Sequence, residues 1–382
     1  MESFHTLLVS YDVGAWLAAV PLALALRRRP LRQQLGALAL FGALLALAAT
    51  FLVAAFVGNS FALLRLFTHA IACVLLPLLF AAGAGALRSK SGPRALAAIA
   101  VAAAVAGEAV YVYAKRVEPT RLEVTHHVVR SARLNGLEGE ITVAVLADIQ
   151  TDHVGAYEER VLRTLDELRA DLVVLPGDYV QVHGDPERLL AERRALDALF
   201  TRLEHDPPLG FWAVEGDVDY AEDVFGPGSR VRPLNDEYAE LPEDCPIALL
   251  GLTLESSRTR LDEDTRARIR AFGGLTLVVG HAPDFETDTA LAWADGERAT
   301  LGPERLSIAG HVHGGQVVIP GFGPPVTLSS MPRAHVSGLS RFGPAPLFVR
   351  RGIGHARGYA PRVRLNCRPE LAVLHLRAES AR

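Results

Sequence analysis

Four apolar stretches, roughly 10–26, 35–57, 61–87 and 94–114, fill the first third of this 382-residue chain and narrow what it can fold into. Each is near the ~20 residues that a helix needs to cross a bilayer core. Their length without charge argues against buried helices of a soluble bundle. A cleaved signal peptide is disfavoured because the apolar segments keep recurring and the first lacks a basic leader. The expectation is a transmembrane region of about four helices over 1–116, followed by a soluble domain over 117–382.

Basic residues set the expected orientation. Arg27, Arg28, Arg29 and Arg32 separate the first two stretches, and Arg88, Lys90 and Arg94 the last two. The loop between the second and third carries only Arg65, and nothing basic precedes the first. The positive-inside rule puts both basic loops in the cytoplasm and both termini outside, with Lys115 and Arg116 a minor contrary signal. For a bacterial cell this means a multi-pass inner-membrane protein whose soluble domain faces the periplasm or exterior. His69 and Glu108 then fall at similar depth in the outer half of the membrane. They are either a polar pair or, the preferred reading, separate interface anchors.

A formal net charge of -4 excludes a nucleic-acid protein built on a strongly basic surface. Cys73, Cys245 and Cys367 have no C-x-x-C spacing, so no thiolate zinc site is expected. A Cys245–Cys367 disulfide is conceivable outside the cytoplasm, but buried thiols are the plainer expectation.

From about 122, apolar runs of strand length alternate with amphipathic stretches, the texture of an α/β domain. Strands are predicted over 141–147, 172–175, 210–214, 247–253, 275–279 and 306–309, with shorter ones over 317–319, 347–350 and 371–376. Helices are predicted over 157–170 and 186–203, and the charged run 258–268 reads as a helix start. Five strands end in Asp or His: Asp148, Gly177-Asp178, Gly216-Asp217, Gly280-His281 and Gly310-His311-Val312-His313. Open α/β sheets place their sites at such carboxyl ends. Oxygen and imidazole donors without thiolates suit Mn, Fe, Zn or similar divalent ions. A carboxylate shared between two ions is the geometry that clamps a phosphate and activates water.

This order of motifs resembles the calcineurin-like metallophosphoesterases, whose pattern reads D-x-H, G-D, G-N-H-(D/E), G-H and G-H-x-H. The likeness covers roughly 140–376. It looks closest to the membrane-attached bacterial branch, on the strength of Gly314-Gly315-Gln316, Pro320, Arg351-Gly352-Ile353-Gly354 and Asn366-Cys367-Arg368-Pro369-Glu370. The resemblance implies a four-layer αββα sandwich, two divalent ions and hydrolysis of a phosphoester by metal-bound hydroxide. It makes Asp148 and His313 ligands of the first ion, Asp178 the bridge, and His281 and His311 ligands of the second. Asp178, Asp217 and His311 become the catalytic residues; by their own positions Asp219, Arg351 and His355 are candidates for substrate contact, against a structural role for Asp219 and a solvated glycine-rich loop for the other two.

Two positions depart from the family. Its first-motif histidine is Gln150 here, a weaker ligand, and the nearby His153 reads as a solvated loop residue. The third motif carries Asp217 and Val218 where the family has Asn and His. Val218 cannot donate a proton, a contribution typically worth ~10²–10⁴-fold in rate. Asp217 supplies a third carboxylate, which makes the site less attractive to highly charged monoesters. The expected substrate is therefore a phosphodiester or pyrophosphate-type compound, lipid-linked in view of the membrane helices. The competing expectation is a weakened domain that binds metal or a phospholigand and signals through the helices. Tyr179, directly after Asp178, is expected to pack rather than react.

Overall fold

The computed structural model describes residues 2–89, 93–242, 245–258, 261–286, 305–327, 329–342 and 345–379. Lys90 of the second basic loop and residues 259–260 of the charged run lie outside the described residues. The chain forms two compact units, Met1–Val117 with Ala356–Val363, and Glu118–His355 with Arg364–Arg382.

The first unit holds four helices long and apolar enough to cross a membrane: Phe4–Leu26, Leu31–Phe56, Ser60–Arg88 and Arg94–Thr120. The first helix begins earlier than the apolar run suggests, because Phe4 and Leu8 already pack against Leu45, Ala49 and Leu66. The third helix widens into a π-helical turn at Ala70–Leu75, just before Pro77. Proline has no N–H for the carbonyl four residues back, and a wider turn relieves its clash with that carbonyl. His69 Nδ1 lies 3.1 Å from Asp12 Oδ2, so its polar partner is on the first helix rather than Glu108 on the fourth. Within the same unit, Arg65 donates to the carbonyl of Gly358 and Tyr359 stacks edge-on against Phe4.

The second unit contains β1 (Glu123–Ser131), β2 (Glu140–Val145), β3 (Leu172–Pro176), β4 (Phe211–Val214), β5 (Val231–Pro233) and β6 (Tyr238–Glu240). It continues with β7 (Ile247–Leu252), β8 (Leu275–Gly280), β9 (Arg305–Ala309), β10 (Gly338–Phe342), β11 (Ala345–Val349) and β12 (Glu370–Ala378). One sheet runs β1-β12-β2-β3-β4-β5 and the other β10-β11-β9-β8-β7-β6. Pairing within β2–β5 and within β7-β8-β9-β11 is parallel. The antiparallel pairs are β12 with β2, β10 with β11, and β6 with β7.

Val143, Val145, Leu172 and Val174 from one sheet meet Leu249, Leu277, Ile308 and Phe348 from the other in a shared core. The opposite face of the first sheet, with Ala144, Val173 and Leu175, is covered by Val161, Leu165, Leu196 and Phe200 of helices Ala156–Leu168 and Pro186–Thr201. Leu250 and Val278 of the second sheet pack against Ile269 of helix Glu263–Ala271. This is the four-layer αββα arrangement. Strands covered on both faces are near-continuously apolar, as 172–175 and 275–279 are. Each fully buried Leu, Val or Ile there contributes roughly 1.5–3 kcal/mol.

The strands differ in part from the sequence reading, and β5, β6 and β10 were not among those predicted. Residues 317–319 make only isolated bridges, Val317 to Leu365 and Ile319 to Gly323, because prolines and glycines on either side interrupt pairing. β1 was not expected: its polar His126, His127 and Arg130 hide a strand held by parallel pairing to β12. Cys245 and Cys367 are both free thiols, in line with the plainer expectation, with Cys367 buried and Cys245 half-buried.

Candidate metal centre

The parallel strands β2, β3, β4, β8 and β9 all discharge their chains at the same end of the two sheets, and their next residues converge there. Asp178 and His281 are essentially buried, while the Asp217 side chain is 44% exposed. His281 Nε2 lies 3.3 Å from Asp178 Oδ1 and 3.6 Å from Asp217 Oδ1. His311 Nδ1 is 3.1 Å from His281 Nε2 and 3.6 Å from Asp217 Oδ2. Two sets of donor atoms are close enough to share a cation: Asp148, Asp178 and His281, and Asp217, His281 and His311.

The backbone is bent to make this possible. Asp148, Gln150, Asp178, His311 and His313 all have positive φ, between 39° and 67°. Non-glycine residues rarely adopt this region, and such strain concentrates where function demands a particular aim. Gly216 is required by close approach: a Cβ there would collide with Asp178 Oδ1. At Gly352 (φ 70°) a Cβ would meet both Asp148 Oδ2 and His313 Nδ1. Any larger residue at Gly352 would therefore push between those two groups.

Hydrogen bonds fix which atoms face the centre. His281 Nδ1 donates to the Pro176 carbonyl at 2.9 Å, leaving Nε2 turned towards the carboxylates. Asp148 Oδ1 accepts the His311 backbone N–H at 2.8 Å, whereas its Oδ2 is buried without a hydrogen-bond partner. Val218 N–H donates to Asp178 Oδ1. A buried carboxylate oxygen without a partner is costly unless a cation satisfies it.

The electrostatics have the same sense. Burial, reinforced by the charges of Asp217 and Asp148, pushes the Asp178 carboxyl well above the usual range. Burial also raises Asp148 to about 6. For Asp217 burial acts upwards too, but the hydrogen bond and charge of His281 together with His311 outweigh it and hold the group low. Burial alone would depress His281, yet Asp178, Asp217 and Asp148 raise it to about 10. A proton on His281 is the counter-charge available when no cation is bound, and a divalent ion is the stronger one. Burial, then the Arg364 charge, keeps His313 neutral and so ready to ligate. Carboxylates plus imidazoles, with one orphaned oxygen, fit hard-to-borderline divalent ions.

The remaining sequence candidates occupy varied settings. Gln150 is buried beside Asp178, whose carbonyl accepts its N–H. His153 is turned away towards Glu192 with its side chain 70% exposed. Asp219 gives both carboxyl oxygens to the backbone N–H groups of Tyr179 and Val180, so it shapes the loop that carries Asp178. Arg351 is held by Glu370 and Glu123. His355 is half-buried, and its charge bears on His313. Tyr179 is fully buried, its hydroxyl donating to Leu175 and Val214 carbonyls.

Sequence reasoning missed Arg364 and the Arg350–Glu370 pair. Arg364 is fully buried, donates to the carbonyls of Arg351, Gly352, Gly354 and Cys367, and reaches His313 Nδ1 at 3.4 Å. Arg350 is equally buried and pairs with Glu370 at 3.0 Å. A single arginine in a polar loop has no periodicity to betray it. The only hint lay in Glu370, which closes the Asn366–Glu370 motif.

Fold and site together define an α/β two-sheet protein with a carboxylate–imidazole centre for divalent cations. No family model matches the chain. It is 26% identical over 294 residues to the Uncharacterized metallophosphoesterase YkuE of Bacillus subtilis (strain 168), covering 74% of this chain and 94% of that protein. It is 26% identical over 289 residues to Phosphodiesterase YaeI of Escherichia coli (strain K12), covering 72% and 96%. The Uncharacterized metallophosphoesterase YkoQ of Bacillus subtilis (strain 168) is 22% identical over 242 residues, covering 61% and 82%. These relatives, with the order of ligands along the chain, support its place among the calcineurin-like metallophosphoesterases.

Proposed function

We propose that the chain is a membrane-anchored, metal-dependent phosphoesterase acting on a phosphodiester or pyrophosphate-type substrate outside the cytoplasm. The observation that carries this is the convergence of Asp148, Asp178, Asp217, His281 and His311 into two adjoining donor sets at the strand ends. The names of the relatives YkuE, YkoQ and YaeI agree with it, and YaeI favours a diester.

In this reading Asp148 and His313, with Gln150, would hold one divalent ion, Asp217, His281 and His311 would hold the other, and Asp178 would serve both. When bound, the ions supply Lewis-acid polarisation of the phosphoryl group and an acidified water. The chain's own residues do the rest. The Pro176 carbonyl fixes the His281 tautomer, and Asp219 fixes the loop that presents Asp178. Asp217 and Val218 border a cleft of about 690 Å³ that is also lined by the buried Glu215 and by Asp223, Asp236, Glu255 and Arg193. An acidic rim repels a dianionic monoester more than a monoanionic diester, which is the basis for preferring the latter. The four long apolar helices favour a lipid-linked substrate.

A second reading, a weakened domain that binds metal or a phospholigand, draws on Val218 and Gln150. One experiment weighs both: metal analysis of the purified full chain, with Mn²⁺-supported hydrolysis of bis(p-nitrophenyl) phosphate against p-nitrophenyl phosphate. Bound transition metal and faster diester cleavage are expected. Monoester cleavage at least as fast would defeat the diester reading, and absence of both metal and turnover would defeat the enzyme reading.

A further inference from the structure

The helical unit contains a groove of about 610 Å³ bounded by Leu76, Pro77 and Phe80 on one helix and Ala104, Val105 and Ala109 on the next. Its origin is legible in the residues. The π-helical turn Ala70–Leu75 and Pro77 displace one wall, and the small side chains of Ala104 and Ala109 leave the other shallow. Gly107 lets the two helices close together alongside, since a Cβ there would sit 3.0 Å from Leu76 Cδ1.

Two polar side chains are among the residues lining this otherwise apolar groove, Glu108 and, further along, Tyr113; Glu108 is the carboxyl. Its Oε2 is buried and has no hydrogen-bond partner. A carboxyl oxygen sealed in apolar surroundings needs a donor. Further along the same helix come Tyr111 and Tyr113, then Lys115, which donates to the Tyr111 hydroxyl, and the exposed Arg116. Glu108 and Arg116 are roughly 12 Å apart along the axis at 1.5 Å per residue. Along the groove come apolar side chains, then the carboxyl, then Tyr113 and Val117 at the level of the cations Lys115 and Arg116. A phospholipid presents the complementary order: acyl chain, acyl–head-group junction, phosphate.

We propose that this groove binds one membrane phospholipid bearing a hydroxyl or amide N–H donor where its acyl chains join the head group, with Glu108 as the acceptor. The proposal rests on reading the helices as membrane-spanning, and it deepens the expectation of a lipid substrate by naming where the chain holds a lipid. Lys115 and Arg116 lie at the level of the phosphate, and the apolar wall takes the acyl chain.

The test uses the full chain in nanodiscs containing, at equal dose, diazirine-acyl phosphatidylcholine or diazirine-acyl sphingomyelin. These lipids share a head group, and the second adds an amide N–H and a hydroxyl at the junction. Cross-linked peptides are mapped by mass spectrometry. Label is expected to concentrate on residues 76–80 and 104–112, with sphingomyelin about threefold ahead, the weight of one net hydrogen bond. Glu108→Leu should erase that difference and Glu108→Gln, which keeps an acceptor, should preserve it. Ala109→Phe should reduce labelling of the groove by both lipids. Label spread evenly over exposed Leu40, Leu44 and Leu47 would overturn the proposal. So would equal labelling by the two lipids in the parent protein. No turnover is read, so failure of the hydrolase reading leaves this outcome intact.

Discussion

The loops after β3 and β4 each carry Gly-Asp close behind a parallel strand, directly after Pro176 in one and after Glu215 in the other, yet the two aspartates are opposites. Asp178 is buried, strained in φ, and pushed well above the normal carboxylate range. Asp217 is part-exposed at the cleft and held low by His281 and His311. The same dipeptide thus becomes a costly central carboxylate in one loop and a well-compensated rim carboxylate in the other. Position decides: β3 lies between β2 and β4, with the loops from β8 and β9 also closing over its end, whereas the β4 loop opens onto the cleft.

The largest expected effect is on Asp178. Asp178→Asn should lower hydrolysis on the order of 10³-fold, the scale of a lost electrostatic element in such sites. It should also raise the melting temperature of the metal-free protein near neutral pH. The sign follows from the raised pKa, which marks a carboxylate that destabilises the fold when charged. Calorimetry with and without chelator, alongside a rate assay, checks both; a lower melting temperature in the metal-free variant would contradict the picture of a repelled carboxylate.

Next comes Val218→His, which alters the rim loop without touching the buried one. Cleavage of substrates with poor leaving groups should rise about 10²-fold, the lower end of what a general acid contributes. Leaving-group dependence of the rate is the measurement, and an unchanged slope would mean that proton donation is not what this loop lacks. Asp217→Asn should cost about tenfold in Mn²⁺ affinity, well below the Asp178 effect, because partial exposure lets water replace it. Isothermal titration of the two variants side by side ranks the loops directly.

A separate control, read in stability rather than in rate or affinity, comes from a carboxylate compensated by arginines. Burial would raise Glu370, but Arg350 and Arg351, with the Thr125 hydroxyl, hold it at about 2. A depressed folded pKa means stability present above the unfolded value of 4.5 and lost as pH falls towards about 2. The loss should be on the order of 3 kcal/mol. Unfolding titrations across that window should show the slope, and Glu370→Gln should flatten it.

Much of this was legible locally. Apolar runs of membrane length, strand-length runs such as 172–175, and acids or histidines at their ends are all near-neighbour patterns, so the fold class and most of the donor set could be read directly. β1 escaped because its stability comes from β12, some 240 residues later, rather than from its own apolar content. His153 read as a solvated loop residue and is one, its side chain 70% exposed beside Glu192 on helix Pro186–Thr201.

By itself the sequence determined which residues could ligate, that they follow strands, and that helices of membrane length precede them. The tertiary structure alone decided which carboxylates are buried together, since burial depends on the neighbours that sheet order supplies. It alone brought Arg364 against His313 from 51 residues away and left Glu108 facing an apolar groove without a donor. The physical reason is common to all three. Charge and hydrogen-bond demand belong to the residue, but whether that demand is met depends on groups that only folding brings within a few ångströms.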